Sequence, residues 1–117
     1  MKILHVLLSL NPDYGGPAHS APSLAAAQAS LGHEVSLAFY EHEDAKAIQE
    51  RAAASIPGLN RVCLIPLGPR DSLERILPRR ARSHLEPLIP SVDVVHIHDM
   101  WQPLLGLSAR LARSAHI

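Results

Sequence analysis

Asp93-Val94-Val95-His96-Ile97-His98-Asp99-Met100-Trp101 is a short β-branched run that ends in a polar cluster. Alternation along a strand puts His96 and His98 on one face and Val95 and Ile97 on the other. Two imidazoles, a carboxylate and the only tryptophan therefore gather at one strand end. In an open α/β sheet, ligands bind at the carboxyl ends of the strands, so the cluster reads as a site rather than as core.

Around this strand, helix and strand signals alternate. Lys2 to Ser9 reads as a first buried strand, followed by the turn Gly15-Gly16-Pro17 and a helix from Pro17 to Leu31. Gly32 supplies the left-handed residue that ends that helix, while Pro22 is expected to delay its regular part. Glu34 to Tyr40 is a second strand, Glu41 to Ala54 a solvated helix ending before Pro57-Gly58, and Arg61 to Leu67 a third strand. Ser72 to Ile89 has leucines at helical spacing interrupted by Pro78, which predicts two pieces or a kink. Asp93 to His98 is the fourth strand, and Pro103 to Arg113 a helix with proline at an early position. The order predicts an α/β fold, a Rossmann-like parallel sheet with flanking helices. Ala115-His116-Ile117 reads as the first step of another strand, so we expect residues 1–117 to be an incomplete domain.

The 117 residues have room for one domain. With 47% hydrophobic and 19% charged residues, the chain has enough apolar content to fold and too little charge for disorder. Eleven basic and eleven acidic residues cancel, and aromatics are few, which argues against nucleic-acid binding. Cys63, the only cysteine, lies between Val62 and Leu64 and is expected to pack as a small hydrophobe. A single cysteine fits the cytoplasm. The apolar start is interrupted by His5 and reads as a strand rather than a signal peptide. No run approaches the ~20 apolar residues of a membrane span.

Gly15 and Gly16, between the first strand and the first helix, allow close approach of an anion to backbone N–H groups. They match neither the dinucleotide fingerprint nor a P-loop, and a purely structural turn is an equal reading. Gly32-His33 most simply ends a helix. His5, on an apolar strand, reads as a hydrogen-bonded core residue, while His19 lines the cleft or faces solvent. Arg70, Arg75, Arg79, Arg80 and Arg82 form the one basic stretch. Its plain reading is a solvated helix face, which we favour, and its functional reading is a peripheral contact with anionic lipid or acceptor. His96, His98 and Asp99 have residue types that suit a metal. No second ligand cluster is evident, so we expect no metal and rank burial of His96 above ligation.

Taken in order, Ile3 to Ser9, Gly15-Gly16-Pro17, Gly32-His33-Glu34-Val35 and Asp93-Val-Val-His-Ile-His98 resemble the N-terminal domain of family 4 glycosyltransferases of the GT-B fold. The resemblance spans nearly the whole chain, and the proline and tryptophan beside the motifs are similar to the branch associated with bacterial surface polysaccharides. It implies retaining transfer of a sugar, of hexosyltransferase type, from a nucleotide diphosphate donor to a glycan or lipid-linked acceptor. A C-terminal domain, absent here, would bind the nucleotide. His98 would then be the catalytic side chain beside the transferred sugar, and Gly15 and Gly16 would face the donor diphosphate. His19, Asp99 and Trp101 would bind acceptor. The resemblance implies an inactive fragment; we expect no cofactor and a cytoplasmic protein, with the inner face of the membrane as the place of any peripheral contact.

Asp99 departs from the glycine found there in many relatives. The competing readings are a stand-alone ligand-binding α/β module and a metal-dependent hydrolase using His96, His98 and Asp99.

Overall fold

A computed structural model describes residues 1–11, 13, 16–41, 45–99 and 102–117. Its elements run β1 (Lys2–Val6), α1 (Pro17–Ser30), β2 (Glu34–Glu41), α2 (Ala45–Ser55), β3 (Cys63–Pro69), α3 (Ser72–Ile76), α4 (Arg79–Leu88), β4 (Val94–Ile97) and α5 (Pro103–Ser114). One-turn 3-10 helices at Leu59–Arg61 and Ile89–Ser91 lead into β3 and β4.

The four strands form one parallel sheet in the order β3-β2-β1-β4. The chain builds outward from β1 to β3 and then returns to lay β4 on the other side of β1, so a topological switch point lies between β1 and β4. This is the Rossmann-like α/β arrangement that the sequence predicts. Pro66 and Pro69 sit on the edge strand β3, where a missing N–H costs no central ladder bond.

Each sheet face has its own core. Ile3, Leu7, Val35, Leu37 and Phe39 pack against Ala21, Ala25, Ala26 and Ala29 of α1, whose small side chains let the helix lie close to the strands. Leu4, Val6, Ala38, Tyr40 and Leu67 pack on the other face against α4 and α5. His5 alternates with Leu4 and Val6 and therefore points to the α1 face.

Helix α1 ends as predicted. Gly32 has φ +96, its N–H donates to the Ala29 carbonyl, and the His33 N–H donates to that of Gln28. That is the double bond of a Schellman stop. Helix α1 also runs through Pro22 without a delayed start, which corrects our expectation. Residue 22 is far enough into the helix that the lost donor is one bond in a helix already packed on the sheet.

The break at Pro78 is present. The buried carboxylate of Glu74 bridges its two sides, accepting from the N–H groups of Arg80 (2.9 Å) and Ala81 (3.0 Å) and from the Tyr40 hydroxyl (2.7 Å). Glu74 thus caps α4 from α3, satisfying donors that a helix start leaves open. Desolvation, and then the bond to the Glu74 carboxylate, push the Tyr40 phenol well above its ordinary pKa.

Two further expectations are corrected. Cys63 is exposed, because β3 is an edge strand and Cys63 is its first residue. Ala115-His116-Ile117 does not begin a strand. His116 adopts φ 61, and the N–H groups of His116 and Ile117 donate to the carbonyls of Arg113 and Ala112, closing α5 with a second Schellman stop. Among the described residues, no helix is long and apolar enough to cross a membrane.

Candidate functional site

Parallel pairing sets His5 beside His96 and Val6 beside Ile97. His98 follows one residue past β4, its N–H bonded to the Val6 carbonyl at 3.0 Å. Because side chains repeat every second residue, His5, His96 and His98 share the α1 face, and Val95 and Ile97 pack with the opposite core. The site therefore lies at the carboxyl side of the β1–β4 switch point.

The three imidazoles touch. His96 and His98 stack with ring centroids 4.1 Å apart and planes 16° apart, and the His5 centroid is 5.1 Å from each. His5 Nδ1 is 2.8 Å from His98 Nε2, and His5 Nε2 is 2.6 Å from Gln28 Oε1. His5 is buried and hydrogen-bonded, as its place in an apolar strand predicts. His96 is exposed, which corrects the expectation of burial. Helix α1 covers β1 and β2, whereas β4 lies at the sheet edge and its α1-side residues face outward.

Burial, followed by repulsion from His96 and His5, pulls His98 down to about 4. Burial lowers His5 as well, opposed by its bond to Gln28 and aided by His96. Both rings are therefore neutral at pH 7, so the site offers hydrogen-bonding imidazoles rather than cations.

The ligand atoms of His5, His96 and His98 lie within 4.8 Å of one another, so the third imidazole that the sequence did not reveal comes from β1. Asp99 is not in this group. Ring nitrogens bind a metal along lone pairs in the ring plane, and two nearly parallel stacked rings do not aim those lone pairs at one point. The arrangement as built suits a hydrogen-bonded cluster better than a chelate.

The other sequence-predicted residues are spread around this center. Gly16 is the N-cap of α1 with φ −55, and a Cβ added there would meet nothing within 4 Å. Neither backbone conformation nor packing among the described residues requires glycine at this position. Gly15 and Trp101 lie outside the described residues. His19, exposed on the first turn of α1, lines a separate small cavity of about 70 Å³ with Leu10, Ile48, Arg51 and Ile56. The structure does not bring it into the imidazole cluster. Asp99 is exposed and has φ 88, a left-handed conformation that glycine adopts freely.

The basic stretch divides. The Arg70 guanidinium donates to Gln102 Oε1 at 2.8 Å and lies 5.9 Å from the Tyr40 ring centroid, while Arg80 pairs with Asp71 at 2.9 Å. Arg82 pairs with Glu86 one turn on. Arg75 and Arg79 are exposed beside Leu73, Ile76 and Leu77, which are 54%, 74% and 50% exposed. Those apolar side chains are what the plain reading of a solvated face does not explain.

Gln28 is the site residue that sequence reasoning missed. Its signal was a polar residue at the helical spacing of Ala21 and Ala25, on the face that packs against the sheet. No curated protein and no solved structure matches the chain. Residues 15–117 match the glycosyl transferase 4-like domain, and the chain belongs to that family of glycosyltransferases.

Proposed function

We propose that this chain is the acceptor-side N-terminal domain of a retaining glycosyltransferase, in which a second domain supplies the nucleotide contacts. The observation that carries the reading is the place of His98. It is a neutral, partly buried imidazole at the carboxyl end of the β1–β4 switch point. A neutral imidazole fixed before the substrate arrives can hydrogen-bond a hydroxyl of the transferred hexose as its bond to phosphate breaks. Gly16, free of any packing demand among the described residues, leaves room for a diphosphate to approach the start of α1. Asp99 lies next to His98, on the acceptor side of this scheme. The donor is a nucleotide diphosphate sugar. The acceptor is a glycan or a lipid-linked sugar of surface-polysaccharide synthesis at the inner face of the membrane.

The exposed Leu73, Ile76 and Leu77, flanked by Arg75 and Arg79, support peripheral contact with that membrane. The whole reading is tested by assaying the full-length protein for sugar transfer from a panel of nucleotide sugars. Transfer is expected, with His98→Ala slower by about 10²-fold or more, the scale of losing one preorganised donor or acceptor. The 117-residue chain alone is expected not to turn over. No transfer by the full-length protein from any donor, or undiminished transfer by His98→Ala, would refute the assignment.

A further inference from the structure

The hydrogen-bond chain behind His98 has a direction. Gln28 Oε1, an amide oxygen, can only accept, so the hydrogen in its 2.6 Å contact sits on His5 Nε2. A neutral His5 then carries a lone pair on Nδ1. The 2.8 Å contact of that atom with His98 Nε2 requires His98 Nε2 to be the donor. His98 is left with a lone pair on Nδ1, and among the described residues no hydrogen bond occupies that atom. The opposite direction needs the Gln28 amide reversed and both imidazoles in the Nδ1–H form, which an isolated imidazole side chain favours less. His5 is buried in strand β1 and held by core packing, while Gln28 on α1 and His98 past β4 are both half-buried.

We propose that Gln28 and His5 are positioning residues that lock His98 in its Nε2–H tautomer, so that Nδ1 presents an acceptor to the ligand. The inference rests on the reading that His98 meets the transferred sugar. It adds the chemical class of the contact: His98 Nδ1 accepts a hydrogen bond from a ligand hydroxyl and does not donate one to a phosphate oxygen. A site so arranged prefers a sugar hydroxyl over an anion at this position, because an imidazole lone pair facing an anionic oxygen leaves both unpaired.

The test is imidazole ¹⁵N NMR on the chain with labelled histidine at neutral pH, which needs no substrate. In the wild type, His98 is expected to show a protonated Nε2 and an unprotonated Nδ1. Gln28→Met removes the acceptor at similar volume and is expected to give a mixture of tautomers at His98. Gln28→Glu puts a carboxylate on His5 Nε2 and favours the His5 imidazolium, whose Nδ1–H then donates to His98 Nε2, so His98 is expected to switch to the Nδ1–H form. In the full-length enzyme, Gln28→Met should lower kcat by roughly tenfold, and Gln28→Glu, which keeps the shape of glutamine, should lower it as well, a loss that packing alone would not produce. A protonated Nδ1 on wild-type His98, or a His98 tautomer unchanged in Gln28→Met, overturns the proposal. Failure of the transferase reading would instead appear as a locked tautomer in a protein that transfers no sugar.

Discussion

His5 and His98, ninety-three residues apart in sequence, are joined ring to ring through Nδ1 and Nε2 at 2.8 Å across the β1–β4 pair. One ring is buried in a strand and the other is half-buried just past the end of β4, so the contact carries the order of the core to the imidazole at the strand end.

Burial of the two rings makes stability pH-dependent in a defined window. Both rings titrate near 6.5 when unfolded, and folding lowers both, His98 to about 4. As pH falls below about 6.5, the unfolded chain binds protons that the folded chain refuses, so stability present above 6.5 is lost down to about 4. The loss from His98 is on the order of 1–3 kcal/mol after discounting for solvent screening. Urea unfolding at a series of pH values should show this slope, and His98→Gln should flatten it. An identical slope in the variant would show that His98 is not responsible.

Asp99 holds φ 88, which costs a residue with a Cβ on the order of 1–3 kcal/mol unless local bonds relieve it. Asp99→Gly should leave the melting temperature within a degree or two or raise it, whereas Asp99→Ala should lower stability by about 1 kcal/mol. Thermal unfolding of the two variants side by side checks this. A more stable alanine variant would mean that the left-handed conformation is not what folding requires at this position.

Glu74 ties α3, α4 and β2 together through bonds to Arg80 N, Ala81 N and the Tyr40 hydroxyl. Glu74→Ala should cost about 3 kcal/mol or more, because it strips a buried acceptor from three donors at once. Tyr40→Phe should cost only about 1 kcal/mol, since the two backbone bonds remain. Chemical denaturation of both variants should reproduce that ranking, and a Glu74→Ala chain as stable as wild type would contradict it.

Membrane contact through α3 is tested by flotation of the chain with vesicles of phosphatidylcholine, with and without phosphatidylglycerol. Binding is expected only with the anionic lipid. Removing Arg75 and Arg79 together should weaken it by on the order of thirtyfold, at about 1 kcal/mol for each arginine near the surface. Ile76→Ser should weaken it without changing the salt dependence. Equal recovery on both vesicle types would refute the charge complementarity.

The sequence by itself determined what local periodicity and stop signals encode. The four strands, the left-handed stop at Gly32, the break at Pro78 and the shared face of His96 and His98 all follow from residues within a few positions of one another. The ordered motifs were enough to point to the family that residues 15–117 match. Only the tertiary structure decided what depends on pairing between distant segments. The register of β1 against β4 placed His5 in the site, the packing of α1 put Gln28 behind it, and the edge position of β3 and β4 exposed Cys63 and His96. A strand's own sequence sets which residues share a face, but its neighbours, and thus whether that face is covered, are fixed by crossover connections that bring together residues ninety positions apart.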